Sequence, residues 1–442
     1  MAKSTKQFSC QSCGAITSKW GGKCMQCGAW DSLVESVSLG GLKSRSSVSQ
    51  AHQPEQFDEI SSSGKSRIST GNIEIDSVLG GGIVPGSLVL LAGDPGIGKS
   101  TLVLQIAAEI AKSYKVLYIS GEESASQVKL RGSRLKGLHT DFDFLATTDI
   151  QDVLSHAESS KYQLIVVDSI QTMASQELSG AAGTTSQITN NTNSLVRAAK
   201  STNTSFIIIG HVTKEGNVAG PRLMEHLVDV VLYLEGERYG LLKLLRGVKN
   251  RFGATNEIGM LEMTEGGLTA VSNPSKALLQ ERQELPGSVI YVGMEGSRPI
   301  LVEVQALVSP SVFGYPKRVA DGFDINRLGL LCAVMQKRGR VNLSSQDVYV
   351  NIVGGIRLSE PAIDLAIILA IASASSGKVI NSESVVFGEV GLSGEIRSVN
   401  MPSIRLKEAK KLGFGKAIVP ASVSGTGCIG VRTIADAIKS LK

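Results

Sequence analysis

The sequence predicts an α/β protein built around a mostly parallel sheet, and three observations carry that expectation. Short β-rich runs alternate with helical patterns from residue 67 to about residue 267. A G-x4-G-K-S segment, Gly93 to Ser100, joins one such run to a helical one. On either side the pattern changes: two C-x2-C pairs stand near the start, and a separate strand-and-helix region follows Pro286. At 442 residues the chain is about three times a common domain length, which anticipates two or three folded units.

Composition narrows the class. Hydrophobic residues make up 42% and charged residues 19%, too apolar and too weakly charged for a disordered chain. A net charge of +5 permits a nucleic-acid partner without demanding one. Gly is frequent at 48 residues and Pro scarce at 12, so many positions are expected to need positive φ or close approach to a ligand. Lys3 and Lys6 precede no apolar stretch, and nothing reaches the length of a membrane span. The expectation is a soluble, cytoplasmic protein with no membrane partner.

The elements follow in order. Residues 1–35 form a cysteine-rich module, and 36–66, where ten of 31 residues are Ser, read as a flexible linker. In 67–270, strands are expected at 87–92, 116–120, 164–168, 206–210, 230–234 and 241–245; their near-continuous apolar runs suit strands covered on both faces. Residues 271–286 lose the pattern and read as a second linker. In 287–442, strands are expected near 288–292, 301–308, 348–353 and 385–389, with helices near 325–337, 361–373, 403–412 and 434–441.

Cys10-x2-Cys13 and Cys24-x2-Cys27 each end on a glycine, Gly14 and Gly28. Such turns aim two thiolates at one point, and two of them complete the tetrahedron that Zn2+ favours. So small a module lacks an apolar core, and a structural zinc supplies about 10 to 16 kcal/mol of folding free energy instead. Iron in a four-cysteine ribbon and a pair of redox dithiols share the same spacing. Cys332 and Cys428 lie in apolar patterns and are expected as buried thiols.

Gly93, Asp94, Pro95, Gly96, Ile97, Gly98, Lys99 and Ser100, with Thr101 opening the helix, form a phosphate loop for ATP. Its glycines let backbone N–H groups wrap phosphates at a helix N-terminus, Lys99 reaches the β and γ phosphates, and Ser100 is placed to ligate Mg2+. Asp168, ending the run 164–168, is the acid expected to orient that Mg2+. Glu122 and Glu123, just past 116–120, are the carboxylates expected to activate water, or otherwise an acidic pair at a helix start. His211, at the tip of 206–210, is a candidate γ-phosphate sensor, a structural histidine being the alternative.

Two segments beyond these strands, 213–222 with Lys214 and Arg222, and the mobile stretch 178–187, suit contacts with single-stranded nucleic acid or serve as surface loops. Lys249-Asn250-Arg251-Phe252-Gly253 then places two cations on an exposed turn. Taken in order, the four-cysteine module, GDPGIGKS and KNRFG resemble the RadA family of bacterial DNA repair proteins. The resemblance implies a RecA-like P-loop ATPase core and a homo-hexameric ring acting on single-stranded and branched DNA. It also implies DNA-stimulated ATP hydrolysis, branch migration and a RecA-type recombinase as partner. Lys249 and Arg251 then become trans-acting cations that reach a neighbouring subunit's γ-phosphate.

The region from Pro286 is similar to the Lon protease domain, an α/β fold of the ribosomal protein S5 domain 2-like kind. Aligned on that family's Ser–Lys dyad, this chain has Ala362 and Ser403, so the region is expected to be an inactive scaffold. Lys317, Arg318, Arg327, Lys337, Arg338 and Arg340 are its candidate phosphate contacts. The rivals to a DNA motor are an ATP-dependent protease, which fails on the absent dyad, and an ATP-switched assembly factor acting on protein partners.

Overall fold

The computed structural model describes residues 6–10, 16–17, 19–25, 28, 30, 33–37, 66–135, 141–159, 161–211, 224–236, 242–271, 273–312 and 314–441. They fall in two units, Met1–Ser63 and Gly64–Lys442. In the first, β1 (Lys6–Cys10) lies between β2 (Ile16–Thr17) and β3 (Leu33–Val37) in an antiparallel sheet, with Cys10 opposite Leu33. Beside this sheet Trp20 is 62% and Trp30 76% exposed. β3 extends past residue 35, into the segment expected as linker.

The second unit is organised by a nine-stranded sheet. Its strands are β4 (Leu88–Gly93), β5 (Val116–Ser120), β6 (Asp143–Ala146), β7 (Leu164–Asp168), β8 (Ser205–His211), β9 (Val230–Glu235), β10 (Leu242–Asn250), β11 (Ile258–Thr264) and β12 (Gly267–Ala270). Spatially they run β12-β11-β10-β9-β4-β8-β7-β5-β6. From β9 to β6 every pair is parallel, and β10 to β12 append antiparallel strands at one side. The continuous apolar runs have the predicted cause. In β4, Val89 and Leu91 pack into one core with Val103, Ile106 and Ile110 of α2 (Lys99–Ile110), while Leu88 and Leu90 pack into another with Ile188 and Leu195 of α5 (Thr185–Thr202). Each such side chain, fully buried, contributes about 1.5 to 3 kcal/mol. The chain leaves β4 toward β5 and later returns to lay β9 on the other side. The carboxyl end of β4 therefore opens on the crevice where wound sheets of this kind bind ligands.

A second, mixed sheet follows, ordered Arg318–Asp321, Gln346–Ile352, Arg298–Pro310, Ser288–Glu295, Ser384–Val386, Lys416–Pro420, Cys428–Val431. Helix Asp364–Ser376 lies against it with residues 364–373 all buried. The segment 271–286 carries helix Pro274–Leu279, started by Asn273 Oδ1 accepting from Lys276 N at 3.0 Å, and Leu278 is buried in the C-terminal core. That core also takes in Leu242, Leu244, Ile258 and Met260 of β10 and β11. Arg246 ties the seam further, meeting Glu235 and Glu295 at 2.7 Å each, and Arg298 pairs with Glu74. No helix among the described residues is long and apolar enough to cross a membrane.

Candidate nucleotide site

The phosphate loop is shaped by its glycines. Gly96 (φ +77°) and Gly98 (φ +113°) sit in the left-handed region, and a Cβ on Gly93 would stand 2.4 Å from Leu234 O. Gly98 is the N-cap of α2 and brings no side chain to its N–H groups, so those donors stay available to an anion. Lys99, 4% exposed, spans the loop and donates to Gly93 O at 2.7 Å and Asp94 O at 2.9 Å. Burial pushes its ammonium below the usual pKa, opposed by Asp168, Asp94 and Glu122. A phosphate in the loop would supply charge-assisted acceptors where Lys99 now has neutral carbonyls. The residues therefore fit a nucleotide.

Sheet order brings the predicted acids to the same edge. His211, Asp168 and Ser120 end β8, β7 and β5, and the main chain of His211 lies opposite Gly93. Neighbouring strands are about 4.8 Å apart, so Asp168, two strands from Gly93, lies about 10 Å away in the sheet. Asp168 is 4% exposed and its Oδ2 accepts from Tyr118 Oη at 2.7 Å. Burial, with the Asp168 charge, raises Tyr118 well above the usual phenol pKa and keeps it a donor. The acidic pair divides. Glu122 Oε1 accepts from Ser169 Oγ at 2.5 Å, while Glu123 Oε2 meets Arg131 at 2.6 Å on α3 (Ala125–Arg134). Tyr118, Arg131 and Ser169 were not singled out from sequence; no spacing rule flags them, because their contacts run between strands and a helix.

Segment 178–187, expected as mobile, is held from inside. Gln187, 1% exposed, accepts from Ser175 N and donates to the carbonyls of Ser175, Leu178 and Gly180 at 3.1 to 3.2 Å. An amide with this many main-chain partners fixes the loop's path. Lys214, Arg222, Cys13, Cys27 and the side chains of His211 and Cys10 lie outside the described residues. Cys24 is 3% exposed, and Gly28 N donates to Cys24 O at 2.8 Å with Gly28 at φ +75°, the tight turn a thiolate pair requires.

KNRFG lies elsewhere. Lys249 and Asn250 pair with Val231 and Val230, at the amino end of the parallel strands, opposite the phosphate loop. Lys249 Nζ donates to Glu225 O (2.7 Å) and Val228 O (2.8 Å), and Arg251 meets Asp229 at 3.0 Å. The Lys249 ammonium is pushed down by desolvation and by Arg251. The turn is thus anchored, with Arg251 48% exposed at the side chain.

In the C-terminal half, Ala362 is 1% exposed and Ser403 faces solvent on helix Pro402–Lys411. Beside them a closed charge network is built. Arg405, fully buried, pairs with Glu360 and donates to Val292 O and Asn400 O, and Tyr291 Oη donates to Glu360 at 2.6 Å. Two of the proposed phosphate contacts prove committed inside the protein. Arg327 pairs with the buried Asp364, and Arg318 donates to the carbonyls of Lys317, Leu343 and Gln346. Lys317, Lys337, Arg338 and Arg340 are exposed.

The sheet order and the loop at its switch point define a P-loop ATPase of the RecA-like kind, joined to a zinc ribbon and a Lon-protease-like α/β half. Known families agree: residues 61–217 match the AAA domain, 8–35 the rubredoxin metal binding domain, and 332–423 subunit ChlI of Mg-chelatase. Full-length relatives carry the name DNA repair protein RadA. That of Streptococcus pyogenes serotype M6 is 45% identical over 100% of both chains. That of Bacillus subtilis is 47% identical over 100% of this chain and 99% of its own, and that of Listeria monocytogenes 46% over 99% and 98%. A solved RadB recombinase shares 24% identity over 46% of this chain and 100% of its own, at a TM-score of 0.37. The chain belongs to the RadA family.

Proposed function

We propose that this chain is a DNA-dependent ATPase of recombinational repair that assembles into a ring and drives branch migration, acting on single-stranded and branched DNA beside a RecA-type recombinase in the cytoplasm. One observation carries the reading. KNRFG and the phosphate loop of one chain occupy opposite edges of the same sheet, about 13 Å apart along β4 from Val89 to Gly93 alone, so the signature meets a nucleotide only on another copy. A head-to-tail interface of this kind closes into a ring when its rotation permits.

In the proposed cycle the backbone from Gly93 to Thr101 cradles the phosphates and Lys99 neutralises the β and γ groups. Ser100 and Asp168 are the residues to hold Mg2+, which would offset charge on the γ-phosphate. Glu122 orients and deprotonates water, His211 reports the γ-phosphate to the segment after β8, and Lys249 and Arg251 of the next subunit meet developing charge. Cys10, Cys13, Cys24 and Cys27 would hold one structural zinc.

Mixing tests this reading. Lys99→Ala and Arg251→Ala proteins are each expected to be inactive in ATP hydrolysis, with nucleotide binding retained in Arg251→Ala. Their mixture is expected to regain activity, because some interfaces then pair an intact loop with an intact signature. Absence of regained activity, or ATP hydrolysis indifferent to added DNA at low salt, would sink the ring-motor reading.

A further inference from the structure

Three carboxylates converge on one lysine at the nucleotide edge. Lys99 feels the charges of Asp168, Asp94 and Glu122, and Glu123 stands beside Glu122 in sequence. Left unbalanced, these charges would repel a triphosphate. The fold supplies one more cation. α3 is started by a capping box, Ser124 with Gln127, and Arg131 lies two turns along on the side facing β5. Its two terminal nitrogens serve different acids. One meets Glu123 Oε2 at 2.6 Å; the other donates to Tyr118 Oη at 3.3 Å and lies 3.8 Å from Asp168 Oδ2, the oxygen Tyr118 already holds at 2.7 Å.

We propose that Arg131 is the positioning residue of the hydrolytic site. It withdraws Glu123 from the reaction and, through the Tyr118 hydroxyl, fixes the orientation in which Asp168 presents its carboxylate to the cation. Glu122, held through Ser169, is then the acid that faces water. The adjacent acids, alike in sequence, thereby take separate roles: Glu123 is an anchor for Arg131 and Glu122 is the base. Of the proposed function this needs only ATP binding with Mg2+, neither DNA nor a ring.

The experiment uses the full-length protein with Arg131→Ala, Arg131→Lys and Tyr118→Phe. Steady-state ATP hydrolysis is measured, and Mg2+ is titrated against binding of a fluorescent ADP analogue. Arg131→Ala is expected to lower kcat and raise the Mg2+ midpoint by about 10- to 100-fold, the usual effect of losing a residue that orients a metal-binding group. Affinity for the analogue in EDTA is expected to stay at the wild-type value, and Arg131→Lys to recover part of kcat. An unchanged kcat and Mg2+ midpoint overturns the proposal, as does a loss of EDTA affinity in step with kcat, which marks a general defect of the fold. If Arg131→Ala fails to fold, Tyr118→Phe decides by the same midpoint: raised supports, unchanged overturns. Hydrolysis indifferent to DNA would sink the motor reading and leave this one standing.

Discussion

Lys99, at the edge of the nine-stranded sheet, and Arg405, against the seven-stranded one, are both buried cations, 4% and 0% exposed. Their partners differ. Lys99 donates to two main-chain carbonyls, neutral acceptors that an anionic phosphate oxygen outcompetes. Arg405 is locked to a carboxylate, Glu360, that is itself bonded by Tyr291 Oη and Met294 N, and its remaining donors meet Val292 O and Asn400 O. A buried charge thus marks chemistry only where its partners can be exchanged. Where every donor and acceptor is matched within the protein, the charge organises the fold instead.

Four variants break or sharpen this contrast. Arg405→Ala leaves Glu360 without its cation beneath the sheet and is expected to cost about 3 to 5 kcal/mol in urea unfolding; a loss below about 1 kcal/mol, the range of an exposed pair, would erase the distinction. Lys99→Ala should leave unfolding nearly unchanged while ATP hydrolysis falls by about 10²- to 10³-fold, or about 2.7 to 4 kcal/mol of transition-state stabilisation. Gln187→Ala removes the partner of Ser175 N and three carbonyls, for about 1 to 3 kcal/mol and faster hydrogen exchange at the Ser175 amide. Smallest in effect is the double change Ala362→Ser with Ser403→Lys. It is expected to yield no peptide hydrolysis of casein, because position 362 is closed to solvent and restoring residue types does not restore an accessible, activated nucleophile.

How far the sequence could be read depended on whether a feature is local. The phosphate loop, Asp168 at a strand end and the strands β4, β5, β7 and β9 were legible because each is a contiguous run whose pattern states its own environment. Helix Asp364–Ser376 was legible too, within a few residues, although buried on all sides. β6 was missed: it pairs along one side only, at the sheet edge, and its four residues, exposed at both ends and half-buried between, form no buried apolar run. The basic residues of the C-terminal half show the limit most directly. Arg318 and Arg327 look like Lys337 and Arg338 in sequence, yet the first two are spent on carbonyls and Asp364 and the last two face water.

Residue type and spacing determined which groups this protein has to work with: a glycine-rich loop ending in Lys99 and Ser100, an acid at the end of β7, two C-x2-C pairs, and Ala362 and Ser403 in the C-terminal half. Those follow from covalent structure and short-range backbone preference, which travel with the chain. Pairings across the fold were left to tertiary structure. It set Glu123 against Arg131 and Glu122 against Ser169, closed Glu360 with Arg405, and carried KNRFG to the sheet edge opposite the phosphate loop. Electrostatic partnership depends on distance and burial, and neither is defined until strands far apart in sequence lie side by side.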